Sequence, residues 1–371
     1  MVDEVCHGNL WEVCHKVPLV VSKRALLTLR ARQPRMQASF MSTPSLFQDG
    51  RAPRLLLLCA AAATVFLASL LVGTSGIGLS EALAALGGDT DSAARSVLLD
   101  VRLPRLLAAF GVGGLLALAG VLLQALFRNP LADPYVLGVS GGAAVGALLA
   151  IAAGAAAFAV QSSAAAGALA AVVAVHALAR GGGTPRLLLT GVVLASGCGA
   201  LVTVLLALAE SERVRGMVFW LAGDLGWALD ARVSLAAVVI ATVLAVALAR
   251  PLNVLASGEL RARSVGLDVD AWRTLVFVAC AVLTAIAVTS AGAVGFVGLI
   301  TPHAVRLLFR TSDHRVVAPA SALLGGTVLA AADLVARTVA SPHQLPVGAV
   351  MALVGAPLFI ALLRSQTRAV H

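Results

Sequence analysis

Between Val101 and Ala150 the chain reads VRLPRLLAAFGVGGLLALAGVLLQALFRNPLADPYVLGVSGGAAVGALLA: a long apolar run, a polar break on RNPLADP, then a second apolar run studded with glycine. A helix that is apolar on every side has no face to offer water, so it belongs in a large core or in a bilayer. A spanning helix takes roughly 20 mostly apolar residues, and from Leu55 onward the sequence supplies about ten such runs. They lie near Leu55–Val72, Pro104–Phe127, Val136–Ile151, Ser163–Leu178, Leu187–Leu208, Val233–Leu248, Trp272–Thr289, Val294–Phe309, Val317–Val335 and Val347–Leu363. The third and eighth are short and glycine-rich. The expected fold is an all-α polytopic membrane protein of about ten transmembrane helices. Hydrophobic residues make up 60% of the chain and charged ones 12%, about half the charged share of soluble domains.

The net charge of +9 would suit nucleic acid, but its placement argues for a membrane. Arginines crowd alternate helix ends, such as Arg128, Arg180, Arg186, Arg250 and Arg310, as the positive-inside rule requires. That places both termini in the cytoplasm, with lipid and not nucleic acid as the surroundings of the chain. Arg102, Arg105 and Arg337 are exceptions on the outer side. Cys59, Cys198 and Cys280 fall within apolar runs, where a thiol behaves as a small hydrophobe. Cys6, His7, Cys14 and His15 form a CH-x6-CH pair, but no folded context surrounds them, so no metal site is assigned there.

Residues 1–50 are different material. They carry the only lysines, Lys16 and Lys23, and read as an N-terminal extension, a tail or sequence ahead of the true start. Residues 51–371 form the membrane domain. It divides into two weakly related halves about Arg250–Trp272, each with a long helix and a short glycine-rich one, as in transporters built from inverted repeats. Gly138, Gly142 and Gly146 recur every four positions, and Gly113, Ala117 and Gly120 lie near one face of the second run. Small residues of this kind let helix backbones approach closely in lipid. Gly78–Leu86 reads as a short interfacial helix, and Arg215–Leu225 as an amphipathic or re-entrant piece.

The chemistry that is missing narrows the function. A phosphate-cradling loop needs its lysine, and none follows Lys23. Asp333 is the one carboxylate well inside a run, and its spacing from Arg337 fits a local i,i+4 ion pair. No clustered polar groups suggest a membrane enzyme. An ion-coupled secondary carrier remains the alternative to an importer powered by a partner.

Several long motifs then appear in order: LPRLLAA, QALFRNPLADP, LGVSGGA, GELRARSVG, GAVGFVGLITPHAVRLL, DHRVVAPASALLGG, ADLVAR and LPVGAVMALVGAPLFIALL. From about Leu55 to Arg368 the chain resembles the iron-chelate and cobalamin permeases of bacterial binding-protein-dependent ABC importers. The resemblance implies a permease subunit of the bacterial inner membrane that is not itself an enzyme and binds no cofactor. It would pair with a second copy or a paralogue, with two ATPase subunits that use ATP and Mg, and with an extracytoplasmic substrate-binding protein. It implies that the loop Pro251–Ala271, where Gly258, Glu259, Ala262 and Gly266 match the pattern, carries short helices that sit in a groove of the ATPase and couple to it. Arg102, Arg105 and Arg337 would dock the binding protein. The translocation path is expected along the second, fifth and eighth helices, including Gln124, Gly191 and Gly199. A ferric siderophore is the first expectation for cargo, with haem and cobalamin next. For a haem, His176, His303 and the lone Tyr135 could be proposed as ligands, but His303 belongs to the family's TPH motif and does not discriminate, and His176, near a cytoplasmic helix end, reads as structural.

Overall fold

The computed structural model describes residues 50–73, 81, 93–179, 183–228 and 230–369. The readings for the N-terminal extension, the Cys6–His15 pair and the Gly78–Leu86 helix fall outside the described residues, Gly50 and Glu81 apart.

Helix α1 (Arg51–Leu71) comes first. A turn at Ala93–Ser96 and a π-helical stretch, Val97–Arg102, then run unbroken into α2 (Leu103–Phe127). After a 3-10 turn at Pro134–Leu137 come α3 (Val139–Ala152), α4 (Ala157–Ala179), α5 (Gly183–Leu208) and the shorter α6 (Ser211–Leu221). The second half holds α7 (Ala231–Ala247), α8 (Ala249–Ala256), α9 (Glu259–Ser264), α10 (Val269–Ala291), α11 (Val297–Phe309), α12 (His314–Thr338) and α13 (Val347–Ala369). No strand occurs among the described residues.

Among the described residues six segments are long and apolar enough to cross a bilayer, and a seventh if α7 and α8, bent by 68°, count as one span. Adding α3, α11 and the apolar part of α13, they correspond one for one to the runs read from the sequence. The piece expected at Arg215–Leu225 is α6, which starts earlier, at Ser211, stops at Leu221 and is followed by a second 3-10 turn at Leu225–Trp227.

Helix α2 is the axis of the molecule. It is buried along most of its length and packs on α7, α10, α11 and α12, so an all-round apolar sequence suits it. Glycine sets the closest approaches. A Cβ on Gly113 would meet the Gly325 carbonyl of α12, and one on Gly325 would meet Gly113 in return. A Cβ on Gly120 would meet the Gly298 carbonyl of α11, while one on Gly298 would meet the Leu116 carbonyl of α2. Gly142 and Gly146 of α3 face Gly167 and Ser163 of α4, as a packing role requires. Gly138 does not share that face. It lies just before α3 with φ +76, in the left-handed region open to glycine, and sits against Gly191 of α5.

Helices α3 and α11 are too short to cross a bilayer by themselves, at about 1.5 Å per residue. Each begins after an irregular stretch, and the two stretches meet. The Tyr135 hydroxyl accepts the Val294 N–H at 2.6 Å, and the Pro134 ring faces Gly298. Irregular backbone inside a membrane protein must satisfy its polar groups locally. Here Asp133 accepts the Tyr135 N–H at 2.8 Å, and Asn129 accepts that of Leu131 at 2.9 Å.

Candidate functional site

Polar chemistry collects at the two ends of the bundle. At one end Asp333 of α12 is almost wholly buried, with 1% of its surface exposed. Its carboxylate lies 3.0 Å from Arg337 one turn on, the i,i+4 pair expected from the sequence. It also accepts from Arg105 of α2 at 3.0 Å, a partner that only the packing of α2 on α12 supplies. Arg105 reaches further, to Gln344 at 3.2 Å and to within 3.8 Å of Asp224. Arg337 is also buried and donates to the Ser69 carbonyl at 3.4 Å. Arg102, 3% exposed, donates to the carbonyls of Leu70 and Leu71 at 2.6 and 3.1 Å. A cation there satisfies the orphan carbonyls at the C-terminus of α1. The three arginines expected to dock a partner are therefore all engaged within the chain. Arg105 keeps the most accessible side chain of the salt-bridged pair, 17% against 9% for Arg337.

At the arginine-rich end the connecting stretch 251–271, expected to carry short helices, holds α8 and α9. Pro251 sits in the first turn of α8, where its missing N–H costs little, and Leu252 and Leu255 bury that helix's apolar side. Gly258, at φ +117, precedes α9, and Gly266, at φ +83, follows it. The Gly266 N–H bonds the Arg263 carbonyl and the Leu267 N–H bonds that of Ala262, both at 3.0 Å. This is the paired pattern of a Schellman stop, which needs a left-handed residue at the first position past the cap. Ala262 is fully buried and pins α9 to the bundle.

Charge holds α9 to the start of α10. Glu259 pairs with Arg263 at 2.9 Å and with Arg273 at 3.3 Å, while Asp270 pairs with the same two at 3.0 and 2.7 Å. Hydrogen bonds that it donates to Glu259, then to Asp270, hold the Arg263 guanidinium above its ordinary pKa. Beside this network lies a cavity of about 740 Å³, bordered by Arg128, His176, Phe277 and others. Two large apolar side chains project from the segment, Leu260 at 88% exposure and Val265 at 65%. Neither was singled out in the sequence, where GELRARSVG reads as polar. Only the burial of Ala262 shows which residues face outward.

The residues expected along the path do not converge. Gln124 is buried between α2 and α11, donating to the Gly298 and Leu299 carbonyls at 3.3 Å and bonded to Arg306. Gly191 abuts Val136 and Leu137, whereas a Cβ on Gly199 would meet nothing within 4 Å. The residues considered for haem are likewise apart. Tyr135 is occupied by Val294, His176 stacks on Phe277 with centroids 6.4 Å apart, and His303 is buried in α11. Among the described residues no three His, Cys, Asp or Glu side chains group as a metal site would require.

Comparison with known proteins fits this arrangement. The FecCD transport family matches residues 58–365. A cobalamin import system permease protein, BtuC, from Halobacterium salinarum is 46% identical over 272 residues, 72% of this chain and 73% of the relative. A vitamin B12 import system permease protein from Escherichia coli O6:H1 is 40% identical over 274 residues, 72% of this chain and 83% of the relative. Among solved structures, an inward-facing conformation of a metal-chelate type ABC transporter aligns with TM-score 0.75 at 30% identity, covering 84% of this chain and 99% of its own.

Proposed function

The chain belongs to the FecCD transport family, and from that premise we propose that it is the membrane permease of a binding-protein-dependent, ATP-driven importer of a metal chelate. The observation that carries this reading is the pairing of two built ends. One is a buried charge cluster with Arg105 at its accessible edge. The other is a stiff helical knob that displays Leu260 and Val265. The chain has no nucleotide cradle of its own, so hydrolysis of ATP falls to separate subunits. Leu260 and Val265 would seat in a groove on the ATPase, with Gly258 and Gly266 setting the shape of the knob and Glu259 bracing it. Arg105 would meet a carboxylate of the binding protein, a task to which a guanidinium is suited. Arg102 and Arg337 would hold the surface on which Arg105 stands. The permease would work as a pair in a bacterial inner membrane, with both termini in the cytoplasm.

For cargo we place cobalamin ahead of the ferric siderophore favoured from the sequence. The support is the naming of relatives at 40–46% identity as cobalamin or vitamin B12 permeases. A ferric chelate is the second reading, favoured by the likeness to a metal-chelate type transporter. The test is uptake of labelled cobalamin, ferric siderophore and haem by vesicles holding the permease, its ATPase and its binding protein. Cobalamin should accumulate with ATP. Accumulation of the siderophore alone would reverse the ranking, and accumulation of none would overturn the reading.

A further inference from the structure

The two built ends are joined by one helix. α12 starts at Asp313, whose carboxylate caps it by accepting the Arg315 N–H at 3.0 Å. Twenty residues on by number, roughly 30 Å along an α-helix, Asp333 anchors the opposite end through Arg105 and Arg337. The start of α12 is also gripped from outside. Asn253 of α8 donates its amide to the Asp313 carboxylate at 2.8 Å, and its carbonyl oxygen accepts the His314 N–H at 3.0 Å. The same oxygen lies 2.5 Å from Nδ1 of the buried His314 ring. Both ends of this one amide are thus spent on the first turn of α12, satisfying donors that a helix start leaves open. Asn253 stands five residues before Gly258, on the helix that leads into the α9 knob. Along its length α12 lies against α2 through the Gly113–Gly325 contact, so its path is set by a rigid neighbour.

We infer that Asn253 is a positioning residue that clamps the inner end of α12 to the coupling segment, so that α12 carries displacement of that segment to the Arg105–Asp333 cluster. The proposal rests on the permease reading above and adds the route by which its two ends communicate. Packing alone does not establish such a route. What does is an energetic dependence of one end on the other. Linkage requires that, if nucleotide on the ATPase changes the affinity of the outer end for the binding protein, the binding protein changes nucleotide affinity by the same factor. The Asn253 clamp sets the size of that factor.

The experiment compares the wild-type complex with Asn253→Ala and Asn253→Gln in detergent. It measures binding-protein affinity with and without a non-hydrolysable ATP analogue, together with basal ATPase activity. Wild type should show a nucleotide-dependent affinity change. In Asn253→Ala that change should shrink to within about twofold, while basal hydrolysis and nucleotide-free affinity stay at wild-type values; Asn253→Gln, which keeps the amide, should restore part of it. A full wild-type change in an assembled Asn253→Ala complex overturns the clamp and leaves the permease reading standing. If Asn253→Ala fails to assemble, Asn253→Gln, whose amide stands one methylene further out, decides: a dependence reduced or lost in an assembled complex supports the clamp, and one indistinguishable from wild type overturns it. Failure of the wild-type chain to bind any ATPase or binding protein would overturn both readings together.

Discussion

Asp333 balances two guanidiniums in a place that water does not reach. Removing one member of a buried ionic group leaves the others charged and unpaired, at a cost of about 3–5 kcal/mol. Asp333→Ala should therefore lower the denaturation midpoint in detergent by a corresponding amount, and adding Arg337→Leu should recover part of the loss. An unchanged midpoint for the single variant would mean that the cluster contributes nothing to the fold. Arg105 calls for a gentler change. Charge reversal would set an acid against Asp333, whereas Arg105→Gln keeps the Asp333–Arg337 pair. That variant should bind the substrate-binding protein at least about tenfold more weakly, near 1.4 kcal/mol, with little change in basal ATPase activity. Wild-type affinity in Arg105→Gln would take docking away from this residue. Of this cluster, the Asp333–Arg337 pair was readable from helical spacing. The contribution of Arg105, 228 positions away, depends on which helices touch.

Among the helices, α9 shows how far pattern reasoning reaches. Its glycines at 258 and 266 could be found as boundaries, since a left-handed stop favours glycine. The preceding stretch from Pro251 lies in α8, and its seat on the bundle, through the buried Leu252 and Leu255, is not legible in its letters. The outward turn of Leu260 could not be read either. In a six-residue helix, the side that faces solvent is fixed by what the neighbouring elements bury. The long spans were legible because an all-round apolar run has few alternatives. The short α3 and α11 were legible as exceptions, but not the contact between Tyr135 and Val294 that sets where each begins. Exposure makes Leu260 a clean probe, since surface substitutions away from special features usually change stability by no more than about 0.5 kcal/mol. Leu260→Asp should leave the midpoint of the isolated permease unchanged and abolish co-purification of the ATPase. Normal co-purification would remove Leu260 from the coupling surface.

For the molecule as a whole, the question is where the energy for uphill movement enters. An ion-coupled carrier needs ionisable groups near mid-membrane that exchange protons or ions with both sides. Here Asp333 is held by two arginines at one end of α12, and the polar groups at the other end of that helix are spent on capping it. Arg306 is bonded to Gln124, whose amide donates onward to the carbonyls that open α11. These groups fasten helices together. They do not form a chain of titrating sites across the bilayer, and an uncompensated charge released from any of them would be costly. On the proposed reading energy arrives through an end of the molecule, where the α9 knob offers a rigid surface for it. Purified alone in sealed vesicles, the permease should bring its cargo no further than equality across the membrane, with or without a proton gradient. With the ATPase and the binding protein added, accumulation should require ATP inside the compartment that the ATPase faces and should persist when a protonophore collapses the gradient. Uphill uptake by the permease alone, abolished by the protonophore, would assign the chain to the ion-coupled class, because only a gradient would remain to supply the work.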